Sequence, residues 1–434
     1  MKYDVIFIGD RFAAYAAASI LSRMGRSVCV LTEPDPLCGT NRIFVKDGFN
    51  LDFGILSERA VGIDPNSVLS AAGLKPMFFP RGYVYHYNGA KLNRVPSAFN
   101  ELFSARAFGS SSMKAFASLF IKLKRLNKRT SGNGISMGEW INGLKVSNDD
   151  YMEAASLLGA ICWDFPDFEK IPVSLAFETF NNCPVKTSSI PFGGWKNVFS
   201  SMENIVREKG DILYVSKIER IVIDGGRAKG AVVDGESLET DFVVVCAQNS
   251  SLQGLCLSDY VKDEFRHILN GNYSVSGVSL DLGVEGKISE SIDQIVTLDP
   301  FTHGMVVSNV EPALAPRGCQ LLSWFAPASK SEIDCPDGIK NIQVRIKDVI
   351  ELMFPGAMDR IVLERWRAGE ANSSRVCFAQ SGERRPSLEA FSIPNILLLN
   401  DSLDYGGRKG DPALAAALEL PFIIEKLFSN EKHC

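Results

Sequence analysis

The chain has 434 residues, of which 46% are hydrophobic and 22% are charged, and its formal net charge is −5. One hydrophobic core stops growing at roughly 250 to 300 residues, so this length predicts two domains. The proportions are those of an ordinary globular protein and exclude a disordered or collagen-like chain. Because there is no excess of basic residues to neutralise phosphates, we expect no nucleic-acid partner.

The sequence shows no pattern typical of export, membrane insertion or metal binding. The apolar run at residues 5–8 is too short for a signal peptide core, and no stretch approaches the roughly 20 apolar residues of a membrane-spanning helix. The ten cysteines lack CxxC spacings, and the four histidines lie far apart. We therefore expect a cytoplasmic protein with reduced, buried cysteines and no metal site.

The N-terminal segment has the pattern of a strand, a helix and a second strand. Residues 5–8 are a continuous apolar run that ends at Gly9, as in a parallel strand covered on both faces. The alanine-rich residues 13–24 predict a helix that ends at Gly25. Residues 27–31 predict a second apolar strand. This order is typical of the opening of a Rossmann-like dinucleotide-binding fold.

The turn between the first strand and the helix is where such folds bind a diphosphate, and it depends on three small residues. Here these positions are Gly9, Arg11 and Ala14. Gly9 supplies the turn and Ala14 allows close helix packing, whereas Arg11 replaces the glycine whose bare backbone approaches the diphosphate. The Arg11 side chain either blocks the site or pairs with the phosphate oxygens.

The acidic residue that binds the ribose normally stands at the end of the second strand. Thr32 occupies that position, and Glu33 follows one residue later. A shift of one residue would give Glu33 the ribose-binding role. Alternatively, Glu33 only begins the turn that continues through Pro34.

Three further segments follow the first unit in a fixed order. Residues 37–54 contain the motifs Cys-Gly-Thr-Asn-Arg and Asp-Phe-Gly, and residues 190–195 contain Pro-Phe-Gly-Gly before a predicted helix. Residues 395–401 predict a buried strand that ends in Asn-Asp and leads through a glycine-rich loop to a helix beginning at Pro412. Together, the segments resemble the FAD-dependent superfamily of phytoene desaturases, protoporphyrinogen oxidases and amine oxidases.

The resemblance implies an α/β fold with a Rossmann-like FAD/NAD(P)-binding domain of the glutathione-reductase type. An inserted α+β substrate domain with a helical part completes this fold. Residues 1–60, 190–260 and 385–434 would form the FAD-binding domain, and residues 61–189 and 261–384 the substrate domain. One nucleotide-binding domain would thus be assembled from three separate stretches of the chain, with FAD as the implied cofactor.

The resemblance also assigns residues to the cofactor. Gly39 matches the glycine-rich stretch that runs along the flavin, and Arg42 takes the role of the family's arginine after a shift of two residues. Val215 matches the position that contacts adenine, and Asp401 matches the acid of a Gly-Asp pair in which Asn400 replaces the glycine. The complete set of expected cofactor-binding residues is Gly9, Arg11, Ala14, Glu33, Gly39, Arg42, Val215 and Asp401.

Aromatic and basic side chains mark the expected substrate region. Tyr83, Tyr85 and Tyr87 alternate in a strand pattern that places three rings on one face. Such a face suits a hydrophobic substrate cavity, although core packing also explains it. Arg365 and Arg367 lie in a predicted strand, where they either attract an anionic substrate group or line a solvated edge.

Residues 113–129 predict an amphipathic basic helix. In one interpretation it lies on an anionic membrane surface, from which a lipid substrate would be collected. In the other it is an ordinary domain helix with a solvated basic face. The sequence therefore leaves open a peripheral membrane contact through this helix.

Three functions are consistent with these patterns. The first is an FAD-dependent oxidoreductase that desaturates or oxidises a hydrophobic small molecule, such as an isoprenoid or another lipid. The second is a non-catalytic binding protein on the same fold that has lost flavin, as in the Rab GDP-dissociation inhibitors, which the chain resembles more distantly. The third is a pyridine-nucleotide enzyme that uses only the first unit. The sequence identifies no catalytic acid or base.

Overall fold

The structure is a computed structural model. It describes residues 2–33, 44–51, 65–80, 82–87, 89–95, 115, 118–119, 121–122, 135–144, 151–157, 171–173, 189–247, 251–270, 274–374, 385–405 and 411–431. Gly39, Arg42 and most of residues 113–129 lie outside these ranges. The roles assigned to those residues from the sequence therefore stay predictions.

The helices and strands are numbered in chain order. The strands are β1 (Lys2–Ile8), β2 (Val28–Thr32), β3 (Phe44–Lys46), β4 (Phe49–Leu51), β5 (Phe78–Pro80), β6 (Val84–Tyr87), β7 (Leu92–Arg94), β8 (Ser189–Pro191), β9 (Asp211–Tyr214), β10 (Ile218–Asp224), β11 (Arg227–Val233), β12 (Glu236–Val245), β13 (Ser274–Glu285), β14 (Gln294–Leu298), β15 (Phe301–Val306), β16 (Cys319–Ala328), β17 (Ile361–Ser374) and β18 (Ile396–Leu398). The helices are α1 (Phe12–Arg23), α2 (Pro65–Ala71), α3 (Met137–Gly143), α4 (Trp195–Arg207), α5 (Asp263–Asn270), α6 (Val307–Val310), α7 (Lys330–Ile333), α8 (Pro336–Met353) and α9 (Asp411–Glu431).

The first sheet joins strands that lie far apart in the sequence. Its order is β10-β11-β12-β1-β2-β9, and β18 pairs with the C-terminal part of β12. Strands β18, β12, β1, β2 and β9 run parallel to one another. Because they come from the N-terminal, middle and C-terminal parts of the chain, the predicted Rossmann-like fold is confirmed. The residue limits of the two domains stay a prediction.

Helix α1 can lie close to its neighbours because alanine dominates its buried surface. Ala14 and Ala17 are fully buried, and the helix packs against both α4 and α9. The helix ends near the predicted position, where Gly25 has a φ of +95°. A side chain disfavours this left-handed conformation, so glycine is the suitable residue after the last turn.

The second sheet has the order β17-β13-β16-β15-β14-β6-β7. Helix α8 covers one of its faces with Ile342, Ile346 and Ile350, which recur every four residues and therefore share one side of the helix. These side chains pack against a core that includes Leu280 of β13 and Trp324 of β16. Helix α8 does not cover the opposite face of this sheet.

The aromatic stripe predicted around Tyr85 lies on the less buried side of its strand. In β6, Val84 and His86 are the buried residues, whereas Tyr85 and Tyr87 are only partly buried. Tyr83 precedes the strand and is 44% exposed. Because side chains alternate between the two faces of a strand, Val84 and His86 share the more buried face of β6. Tyr87 nevertheless packs against the core that α8 covers, so the role of the tyrosine face in a substrate cavity stays a prediction.

The cysteines differ in exposure more than the sequence suggested. Cys29 and Cys246 are buried in strands, but Cys256 and Cys335 are exposed, so the expectation of buried cysteines is wrong for these two. None of the helices in the described ranges combines the length and the apolar character that a membrane span requires. Within the same ranges, His, Cys, Asp and Glu side chains form no group of three suited to a metal ion.

Candidate functional site

The carboxyl ends of β1, β2, β12 and β18 lie at one edge of the first sheet, beside the N-terminus of α1. Nucleotides bind outside this edge in parallel sheets. Gly9 follows β1 with a φ of +105°, and a Cβ atom added there would lie 3.3 Å from the carbonyl carbon of Cys246. The Gly9 amide also donates to the Leu31 carbonyl at 3.0 Å. Glycine at this position therefore lets the three strand ends approach one another.

Arg11 is the N-cap residue of α1, and its side chain extends to the end of β18. Its φ of −72° and ψ of 159° are extended values that any residue adopts. Nη1 of Arg11 lies 3.6 Å from Oδ2 of Asp401, and the two side chains are only 17% and 8% exposed. The structure thus brings together two residues that the sequence assigned to the cofactor from opposite ends of the chain.

Asp10 and Thr32 form a second pair, on the other side of β1, which the sequence analysis missed. Thr32 Oγ1 donates a hydrogen bond to Oδ2 of Asp10 at 2.7 Å. Thr32 is fully buried as the last residue of β2. The sequence held a signal, because Asp10 directly follows the turn glycine and Thr32 stands where the ribose-binding acid is expected.

Glu33 directly follows β2, and Val215 directly follows β9, the strand that pairs with β2. Glu33 is exposed, and its carboxylate accepts a hydrogen bond from the backbone amide of Ile218. Val215 is buried, and its amide donates to the Thr32 carbonyl at 3.0 Å. The ribose-binding role of Glu33 and the adenine contact of Val215 stay predictions.

Charged groups at this edge of the sheet shift the pKa values of two buried neighbours. Burial raises the pKa of the Glu203 carboxyl, and the negative charge of Asp10 adds to this shift while Arg207 opposes it. Burial also raises the pKa of the Cys246 thiol, and here the positive charge of Arg11 acts in the opposite direction. The negative charge of Asp10 adds to the increase in this pKa, so the charges of Arg11 and Asp10 both act at the end of β12.

Asn400, which stands where the family has glycine, fixes the turn that carries Asp401. Its amide nitrogen donates to the Ala247 carbonyl at 3.2 Å. Its side-chain oxygen accepts from the Ser402 amide at 3.0 Å. The substitution thus ties the segment after β12 to the segment after β18 and positions Asp401 beside Arg11.

A buried carboxylate holds the Pro-Phe-Gly-Gly turn before α4. Gly193 and Gly194 have φ values of +74° and +77°. The Gly193 amide donates to Oε2 of Glu311 at 2.9 Å, and Glu311 is 2% exposed. Glu311 follows α6 and also accepts from the amide of Ala313 at 2.8 Å. This contact connects the turn before α4 with the chain segment between β15 and β16.

The second sheet carries charged side chains on the face opposite α8. Asp281 of β13 accepts hydrogen bonds from Nε of Arg365 at 2.7 Å and from Nη2 of Arg367 at 3.4 Å. The exposed fractions are 4% for Asp281, 13% for Arg365 and 15% for Arg367. The alternative of a solvated edge is therefore wrong: β17 is an edge strand, but both arginines reach across to Asp281. His303 and Phe325 continue this face, with ring centroids 5.4 Å apart.

The parallel strand ends, the glycine turn and the second, mixed sheet together have the form of a dinucleotide-binding α/β fold. The sequence matches the family of flavin containing amine oxidoreductases over residues 16–408. Since this match covers most of the chain, the protein belongs to that family. This membership supports FAD as the cofactor, as the sequence patterns predicted.

One of the curated relatives is a phytoene desaturase. The chain is 27% identical over 253 residues to the zeta-carotene-forming phytoene desaturase of Myxococcus xanthus. The aligned region covers 50% of this chain and 48% of that protein. The chain spans about half the length of the curated relatives it matches, at 48% and 49%.

Solved structures share the fold over nearly the whole chain. An oxidoreductase from Methanosarcina mazei superposes with a TM-score of 0.75 at 17% identity, covering 97% of this chain and 99% of its own. Rab GDI from Plasmodium falciparum superposes with a TM-score of 0.56 at 13% identity, covering 93% and 94%. At these identities, the similarity shows the fold alone.

The described residues fit FAD at the edge formed by the strand ends. The first turn of α1 contains no acidic residue, and the Arg11 side chain does not cap it. Its amide groups therefore suit a diphosphate, and the Arg11 guanidinium adds a cation beside them. Gly9 and the fully buried Ala14 contribute as small residues that keep the turn and the helix close to the sheet.

Proposed function

We propose that the protein is an FAD-dependent enzyme that desaturates or oxidises a hydrophobic substrate of the isoprenoid or lipid class. The observation that carries the proposal is the edge of parallel strand ends, where Arg11 stands beside the uncapped N-terminus of α1. Similarity to a phytoene desaturase supports the substrate class. When bound, FAD supplies the two-electron acceptor. The protein's own residues bind the cofactor and orient the substrate.

The second sheet supports a substrate with an apolar body and a polar or acidic end. On the face opposite α8, Met305 and Phe325 are buried apolar side chains. Arg365 and Arg367 meet at Asp281 on the same face. Guanidinium groups bind carboxylates and phosphates through several parallel N–H donors. We therefore include anionic lipids among the candidate substrates.

Reduction of the bound flavin under anaerobic conditions tests this function. The FAD-loaded protein is mixed separately with phytoene, with a long-chain fatty acid and with a polar diamine as the control. We expect one of the hydrophobic compounds to remove the visible absorbance of the flavin and the diamine to leave it unchanged. Reduction by the diamine alone would contradict the proposed substrate class.

A second candidate is a binding protein on the same fold that performs no flavin chemistry. Arg11 favours it, because this side chain replaces the glycine at the diphosphate turn. The fold shared with a Rab GDI is compatible with such a role. A visible spectrum separates the candidates: flavin bands in the protein, as purified or after addition of FAD, support the enzyme. A colourless protein that takes up no FAD supports the binding protein.

A further inference from the structure

The carboxylate of Asp10 occupies the place from which the ribose is expected to be bound. β1 and β2 are parallel neighbours in which Ile8 is paired with Leu31. The residues that follow Ile8 and Leu31 therefore lie at the same edge of the sheet. Thr32 is the last residue of β2, and its hydroxyl lies 2.7 Å from Asp10. An acidic side chain from the end of the first strand thus lies against the position at which this fold normally carries an acid, the end of the second strand.

Asp10 is also close to the expected diphosphate position. It directly precedes Arg11, the N-cap residue of α1. In an adenine dinucleotide, the ribose is joined to the phosphate through a single oxygen atom. The group that binds the ribose therefore lies near the helix N-terminus that binds the diphosphate. Asp10 meets this condition by its position in the chain.

Glu33, the other acidic residue in this region, makes a different contact. Its carboxylate accepts the hydrogen bond of the Ile218 amide at the start of β10, and its side chain is exposed. Asp10 is half-buried, and Thr32 donates a hydrogen bond to its Oδ2. An ionised carboxylate is an acceptor for hydroxyl donors such as those of a ribose.

We infer that Asp10, oriented by the Thr32 hydroxyl, binds the hydroxyl groups of the adenosine ribose of FAD. The inference rests on the proposed use of FAD. Asp10 would accept from the ribose hydroxyls on the β2 side, while Arg11 meets the diphosphate on the β18 side. The two consecutive side chains thereby set the direction in which the nucleotide lies across the strand ends.

Binding titrations with paired nucleotides test this role. Wild type, Asp10→Asn and Glu33→Gln are titrated with FAD, with ADP and with 2′,3′-dideoxy-ADP, which lacks the ribose hydroxyls. Hydrogen bonds to a charged group contribute about 1.5 to 3 kcal/mol, which corresponds to roughly tenfold to hundredfold in affinity. We expect Asp10→Asn to weaken FAD and ADP by this factor and to leave dideoxy-ADP unchanged. Glu33→Gln should leave all three affinities unchanged.

A second measurement uses variants that move the acidic residue from position 10 to position 32. Thr32→Glu places two carboxylates in contact and should weaken FAD, whereas Thr32→Glu combined with Asp10→Ser should recover most of the affinity. Thermal unfolding midpoints check that each variant is folded. The inference is overturned if Asp10→Asn lowers the affinities for ADP and dideoxy-ADP equally, or if only Glu33→Gln lowers the affinities. Either result leaves the proposed use of FAD unaffected. A wild-type protein that binds neither FAD nor ADP overturns the proposed function as well.

Discussion

Nη1 of Arg11 and Oδ2 of Asp401 lie 3.6 Å apart, although the two residues are near opposite ends of the chain. This separation is longer than a close hydrogen bond, so the contact is mainly an attraction between charges. Asp10 lies on the other side of Arg11 in the same turn. Without the arginine, a bound diphosphate would face two carboxylates at the N-terminus of α1.

Arg11→Ala should therefore weaken FAD binding. Loss of one charge-assisted interaction corresponds to about 1.5 to 3 kcal/mol, or roughly tenfold to hundredfold in Kd. The Kd is measured by titration of the apoprotein with FAD. Because an ionic contact is involved, the difference between wild type and variant should also shrink as salt is added.

Arg345→Ala is the matched control for this prediction. Arg345 lies 3.7 Å from Glu332, a similar ion-pair distance, but its side chain is 48% exposed on α8, the helix that covers the second sheet. We expect its removal to leave the Kd for FAD unchanged. Tighter FAD binding by Arg11→Ala would show instead that the arginine blocks the diphosphate site.

The local part of the fold could be predicted because its signals lie in short stretches. Gly9, the alanines of α1 and Gly25 act through backbone conformation and helix packing with near neighbours, and the sequence shows these directly. The order of the remaining segments came from family resemblance. That resemblance also predicted that β9 and β18 join the sheet of β1, which the structure confirms.

Contacts between side chains on different strands could not be predicted in the same way. Asp10 and Thr32 meet only once β1 and β2 are paired in register. Asp281 meets Arg365 across 84 residues of sequence. The alternating tyrosines predicted a strand with two faces, but they did not show that the face with His86 is the more buried one. Each case depends on register or on which side of a strand another element covers.

Asp281→Asn should strongly destabilise the second sheet. Two largely buried guanidinium groups would lose the carboxylate that both contact, and removal of one partner from a buried ion pair costs about 3 to 5 kcal/mol. The free energy of unfolding is measured in urea. Glu364→Gln is the control on β17, because its pair with Lys347 is about one-third exposed, at 30% and 34%. That control should cost about 1 kcal/mol or less, and equal losses in both variants would refute the prediction.

Asn395→Ala should destabilise the first sheet at the start of β18. The buried Asn395 amide accepts from the Ala228 amide at 2.9 Å and donates to the carbonyls of Ala228 and Asp241 at 2.8 Å and 2.6 Å. Leaving buried backbone groups without these bonds should cost at least about 2 kcal/mol. In the matched control, Asn50→Ala removes one exposed bond to the Ala313 carbonyl. Chemical denaturation should show a loss of about 1 kcal/mol or less there, and a comparable loss in both variants would mean that the buried amide has no special importance.

His86 should make the protein less stable as the pH falls. Its side chain is 4% exposed in β6, and burial lowers its pKa below the ordinary 6.5, with the charge of Glu153 acting in the opposite direction. Below pH 6.5, the unfolded chain therefore takes up this proton before the folded protein does. The stability that the neutral histidine contributes is present above pH 6.5 and is lost as the pH falls through the folded-state pKa.

His86→Gln removes this titration and isolates its effect. Unfolding free energies of both proteins are measured by urea denaturation from pH 8 to pH 5. The two curves should run parallel from pH 8 to 7. From pH 6.5 downward, the wild-type curve should fall more steeply, by at most about 1.4 kcal/mol per pH unit, because one extra proton binds to the unfolded state. Curves that stay parallel down to pH 5 would show that His86 takes up its proton equally in the folded and unfolded chains.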